Sequence, residues 1–70
     1  MDEGELKSRF TYHTPKEGQP ARYELIRFTA LGLARTIVAN TPESREQSLA
    51  ITALEEAVMW ANAAIARREA

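Results

Sequence analysis

The sequence predicts an all-α fold: a short N-terminal helix followed by two long helices paired as an antiparallel hairpin. Apolar residues recur with helical spacing over two long stretches. Asn40–Thr41–Pro42 is the turn between them. No stretch alternates apolar and polar residues as a half-buried strand does, and no internal repeat is visible. Residues 1–70 read as one small domain.

Within residues 1–11, Leu6 and Phe10 stand at i, i+4, which allows a short helix. Residues 12–20 hold two of the three prolines and one of the three glycines, and read as a loop. Thr14–Pro15–Lys16–Glu17 has the form of a capping box. Pro20 lacks an N–H and opposes a continuous helix from there, so one turn is expected at 15–18 with a restart at Pro20.

The first long helix should run from Pro20 to Ala39. Ile26, Ala30, Leu33 and Ile37 form its stripe, and Leu25, Phe28, Leu31 and Val38 widen the apolar surface past what one partner helix can cover. Gly32 marks either a close helix crossing or a tolerated glycine. Thr41 suits an N-cap and Pro42 the first helical position, so the second long helix should run from Pro42 to Arg68. Its stripe is Ile51, Leu54, Val58, Ala61 and Ile65. Glu43 and Glu46 lie at its positive end, Arg67 and Arg68 at its negative end. Helices of that length joined by so short a turn must be antiparallel.

The apolar residues are small. They make up 44% of the chain, and 12 of those 31 are Ala. A core in a chain this short rarely supplies more than ~3–5 kcal/mol without disulfides, metal or oligomerisation. There is no Cys and a single histidine, His13, so disulfides and metal sites are not expected. Oligomerisation remains. Trp60 is expected to pack at a helix–helix or subunit contact, with Ala57, Ala61 and Ala64 making room for the ring.

A net charge of −1 without a basic block argues against DNA or RNA binding. No apolar run reaches spanning length, and the acidic start, Met1–Asp2–Glu3–Gly4–Glu5, lacks a signal peptide's order. A soluble, cytoplasmic protein without membrane association is expected. No enzyme constellation is present: His13 has no assignable nucleophile partner, and the adjacent Glu55 and Glu56 point about 100° apart on a helix. No catalytic residue, cofactor or metal is expected.

Tyr12 and His13 in the loop, with Arg22, Tyr23, Arg27 and Thr29 early in the first long helix, form a polar-aromatic group. Aromatic rings stack on bases, and Arg pairs with phosphate in a bidentate way. The same spacing also describes an ordinary solvated face with one packed ring, and by residue types alone both readings stand.

Phe10–Thr11–Tyr12–His13–Thr14–Pro15–Lys16–Glu17–Gly18–Gln19, Arg22–Tyr23, Ile26–Arg27, Pro42–Glu43–Ser44–Arg45–Glu46 and the run from Leu54 through Trp60 to Arg67 resemble the phage anti-CBASS sponges of the second type. Their helical hairpin is shared with a phage anti-Thoeris sponge. The resemblance implies a homohexamer that holds cyclic oligonucleotide immune messengers, such as cyclic GMP–AMP, between protomers without cleaving them. It further implies a cyclic-dinucleotide pocket with Tyr12, Arg27 and Thr29, where the family often has Lys at the position of Arg27. A separate cyclic-trinucleotide pocket near Gly4 and Arg68 is implied for some members. Arg27 and Thr29 lie about 200° apart on one helix, which suggests that two chains contribute to one pocket. Two alternatives remain: a sponge for a cyclic ADP-ribose isomer, and a helical module that binds a protein through its surplus apolar face.

Overall fold

The computed structural model describes residues 1–69. Three helices, α1 (Glu3–Phe10), α2 (Gln19–Asn40) and α3 (Arg45–Arg68), account for its regular structure, and no strand occurs among the described residues.

Helix α1 begins where Asp2, its N-cap, accepts a hydrogen bond from the Glu5 amide at 2.8 Å. Helix α2 starts at Gln19, after Gly18 in the left-handed region at φ 83°, where a residue with a Cβ would be strained. The expected turn is present at Glu17–Gly18, but Thr14 does not cap it. Gln19 closes it instead, its Oε1 accepting from the Lys16 amide at 2.8 Å.

Helix α3 begins three residues later than the turn chemistry suggests. Thr41 is not its N-cap. The Thr41 hydroxyl donates to the Ile37 carbonyl at 2.7 Å and so closes α2. Ser44 caps α3, accepting from the Gln47 amide at 3.1 Å. The Gln47 side chain turns back to Thr41, donating to its carbonyl at 3.2 Å and its hydroxyl at 3.0 Å.

The hairpin is antiparallel and clasped at its open end. Arg22 grips both carboxylate oxygens of Glu69, Lys16 Nζ donates to the Glu69 carbonyl at 2.6 Å, and buried Gln19 donates to the Ile65 carbonyl at 3.4 Å. Helix α3 turns the expected stripe to its partner: Ile65 is buried, and Ile51, Leu54, Val58 and Ala61 are half-buried. On α2 the matching face is Tyr23, Ile26, Ala30, Ala34 and Ile37; Leu33, expected in that stripe, stands half outside it. Nothing approaches the place a Cβ would take on Gly32, so no close crossing within the chain explains that glycine.

This pairing leaves a flat molecule. Its extents are 44 × 30 × 13 Å, and its radius of gyration is 15.2 Å where a compact chain of this length has about 11 Å. Its accessible surface is 5585 Å², against about 4,400 Å² for a compact protein of this mass. Leu25, Phe28, Leu31, Leu33, Met59 and Trp60 are exposed. Trp60 is 62% exposed, with its Nε1 donating to Glu56 at 3.2 Å, so no helix of its own protomer buries it.

Averaged over 18 residues, α3 reaches a mean hydropathy of 1.3, the length and apolarity of a membrane span. No single apolar run shows this, because the average is carried by alanines on either side of Glu55 and Glu56. Charged side chains at a bilayer centre cost on the order of 3 kcal/mol each on insertion scales, and these two sit near the helix middle.

The clasp makes the fold sensitive to acid. Hydrogen bonding from Arg22, then from Gln19, holds the Glu69 carboxyl below its ordinary value of 4.5. Glu5 is lowered in the same direction, first by its hydrogen bond from Arg9 and then by the charge of Arg68. A carboxylate with a depressed folded pKa stabilises above its unfolded pKa, and that stabilisation disappears as pH falls through the folded one. The melting temperature should therefore drop as pH falls below about 4.5. Glu69→Gln should start lower at neutral pH and show a shallower acid limb; a limb as steep as wild type would exclude the Arg22–Glu69 pair as its source.

Candidate functional site

The loop between α1 and α2 is folded back on α1. His13 Nε2 donates to the Ser8 carbonyl at 2.9 Å, fixing the residue next to Tyr12. Tyr12 itself stays 81% exposed. Its ring borders an open hollow of about 340 Å³ that the loop, α2 and α3 share. Arg27 and half-buried Tyr23 come from α2; Asn62 and Arg67 come from α3; Arg9 enters from α1. Ala63 and Ala66 on α3 also border the hollow.

The hollow is electrostatically one-sided. Three guanidinium groups border it, and among the described residues no carboxylate does. Arg9 is engaged by Glu5 at 3.2 Å. Arg27 and Arg67 have no carboxylate oxygen within 4 Å among the described residues. Two unneutralised guanidinium groups beside two tyrosine rings suit a ligand with anionic and flat aromatic parts. Arg22, part of the same group by sequence, is committed to Glu69 at the hairpin's end.

Thr29 lies elsewhere. It borders a second hollow of about 370 Å³ on the other flank of the α2–α3 seam, with Leu25, Ile26, Leu33 and Ala61. The 200° offset from Arg27 thus separates the two residues within one protomer.

Near the chain ends, Arg68 approaches both carboxylate oxygens of Glu5 at 3.4 Å. It borders a smaller hollow of about 210 Å³ with Arg9, Trp60 and Arg67. Gly4 sits in the first turn of α1 and does not border that hollow; a Cβ on it would meet Asp2 Oδ1 at 3.4 Å.

The family model for the Acb2/Tad1 hairpin domain matches residues 2–66, nearly the whole chain. The chain belongs to the Acb2/Tad1 hairpin family. Membership carries a general role, the sequestration of cyclic nucleotides, and with it non-catalytic capture as the family's mode of action. No curated protein and no solved structure matches the chain. The chemistry of the cationic-aromatic hollow around Tyr12 and Arg27 fits such a ligand. Asn62 and Arg67, which border it, were not signalled by spacing in the sequence, because they lie some 35 to 55 residues from Tyr12 and Arg27 along the chain and only the helix pairing brings them there.

Proposed function

We propose that this chain is a phage-encoded sponge, working in the cytoplasm of a bacterial host, that assembles as a homohexamer and captures cyclic dinucleotide immune messengers such as cyclic GMP–AMP, blocking CBASS defence. The observation that carries the reading is the hollow around Tyr12 and Arg27: two guanidinium groups without carboxylate partners among the described residues, beside exposed aromatic surface, on a sponge-family hairpin. Arg27 pairs with a phosphate and Tyr12 stacks on a base. Thr29 faces the opposite flank, so its hydroxyl reaches the ligand from a neighbouring subunit, and the ligand lies between chains. Cyclic trinucleotides bind separately near Gly4 and Arg68, where Arg68 exchanges Glu5 for a phosphate.

Calorimetric titration with cyclic GMP–AMP, followed by heat denaturation and assay of the released nucleotide, tests this. Saturable binding and return of intact ligand are expected. Absence of binding, or loss of ligand with time, overturns it. A second reading rests on the family itself, whose hairpin is shared by the Tad1 sponges: the same hollow would take the two phosphates and adenine of a cyclic ADP-ribose isomer. Preference for that isomer over cyclic GMP–AMP in the same titration would establish it instead.

Trp60 provides a separate check of assembly. In an isolated protomer its ring is mostly in water, and truncating it would cost little. At a subunit contact, Trp60→Ala should cost on the order of 3–5 kcal/mol, as for a buried aromatic. Chemical denaturation at fixed protein concentration measures the difference. A cost below about 1 kcal/mol, the scale of surface changes, would place Trp60 outside any interface.

A further inference from the structure

Among the described residues, Asn62 is the one polar side chain in the middle of the α2–α3 pairing whose amide satisfies nothing. Its Oδ1 is buried without a hydrogen-bond partner. Three polar side chains elsewhere along the hairpin bond back one turn: Thr36 to the Gly32 carbonyl, Asn40 to the Thr36 carbonyl, Thr41 to the Ile37 carbonyl. Asn62 makes no such bond to Val58. Asn is also a poor helix former, and a buried acceptor without a donor is costly. A helix of alanines, where Ala would be favoured on both counts, instead carries an unsatisfied amide.

The position of that amide is specific. Asn62 and Arg27 both border the hollow beneath Tyr12, and both also border the neighbouring hollow with Leu31 and Met59. The two side chains therefore form the ridge between the hollows. Arg27 supplies charge there. Asn62 supplies the only carboxamide among the residues bordering either hollow, a group that donates and accepts at once. On the Hoogsteen edge of a purine, that pairing matches adenine, whose N6 amino group donates while N7 accepts. Guanine offers two acceptors on the same edge and is better served by a guanidinium.

We infer that Asn62 is a base-reading residue of the sponge site, selecting adenine-bearing cyclic dinucleotides by a bidentate contact to the Hoogsteen edge of adenine. The inference rests on the capture function proposed above. Rotation of the amide about its last torsion brings Oδ1 out of its buried orientation toward the adenine amino group, and the ligand thereby supplies the donor that the protein lacks. Arg27 holds the phosphate in the same hollow, so charge and base identity are read by different residues on one ridge.

Calorimetry with cyclic di-AMP and cyclic di-GMP on the wild type and Asn62→Ala tests this, with light scattering and thermal melting on the same samples. Asn62→Ala should weaken cyclic di-AMP about tenfold or more and leave cyclic di-GMP within a few-fold. Its particle mass should be unchanged and its melting temperature equal or higher, because an unsatisfied amide is replaced by the best helix former. Equal losses for both nucleotides, or none for either, would overturn the base-reading role while leaving the sponge reading intact. A fall in melting temperature or mass in Asn62→Ala would also overturn it, by showing that the amide bonds within the fold or to another subunit. Failure of the wild type to bind either nucleotide would instead sink the capture function on which the inference rests.

Discussion

Arg27→Ala is expected to abolish measurable cyclic-dinucleotide binding while the particle mass stays that of wild type. The guanidinium lies beside Tyr12, has no carboxylate within 4 Å among the described residues, and is not part of the clasp that closes the hairpin. Its removal breaks no hydrogen bond or ion pair among the described residues. It leaves a captured phosphate without its cation, and truncating one partner of a buried charged pair costs about 2–5 kcal/mol. Tyr12→Ala should act in the same direction through lost stacking, at about 1–3 kcal/mol per base. Arg27→Lys keeps the charge and loses the planar fork, so it should fall between wild type and alanine. If trinucleotides bind near the chain ends, both alanine variants should retain them, and Arg68→Ala should show the reverse pattern. Calorimetry with one nucleotide of each kind makes the comparison. Wild-type dinucleotide affinity in both Tyr12→Ala and Arg27→Ala would remove this hollow as the site.

What the sequence made legible follows physical lines. The α3 stripe from Ile51 to Ile65 could be read because one partner helix selects one face, and a period of 3.6 reports that face directly. The surplus apolar surface of α2 was legible for the same reason: Leu25, Phe28, Leu31 and Val38 fall outside any single stripe, and all stand exposed. Leu33 misled, since a residue at the edge of a stripe is decided by how the helices are rolled against each other. The start of α3 misled because two good caps lie three residues apart. Thr41 followed by proline competes with Ser44 followed three residues later by Gln47, and the latter is the capping-box arrangement. Thr41 had another use, closing α2 through the Ile37 carbonyl. The clasp of Lys16, Gln19 and Arg22 on Glu69 and Ile65 joins residues about fifty apart, as does the approach of Arg67 to Tyr12. No local pattern encodes such pairs; they follow only once the antiparallel register is fixed.

In solution the chain should behave as a particle of several protomers, with a mass near six times 7.8 kDa for the proposed hexamer. The protomer is a slab whose long faces both carry apolar hollows. One is bordered by Leu25, Ile26 and Leu33, the other by Leu31, Ile51 and Met59. These lie on opposite flanks of the α2–α3 seam, so a single neighbour cannot cover both. A slab of this kind exposes about 1,200 Å² more surface than a compact monomer of its mass, and a specific interface removes about 800 Å² from each partner. Burial against two neighbours would account for the surplus. Leu33→Glu places a charge in the first face without touching Tyr12, Arg27 or the clasp. Burying that charge unpaired is too costly for the contact to survive, so the variant should shift by light scattering to a smaller particle and melt at lower temperature. Wild-type stability should rise with protein concentration, because folding and association are linked in a protomer with so small a core, and Leu33→Glu should lose much of that dependence. Loss of the assembly should carry dinucleotide capture with it, since Thr29 borders the same face and would meet a ligand bound by Arg27 only from a neighbouring subunit. A wild-type mass near 7.8 kDa at micromolar concentration would end the oligomeric reading. A Leu33→Glu monomer that still bound cyclic dinucleotide with full affinity would show that one protomer's hollow suffices, with Thr29 outside the site.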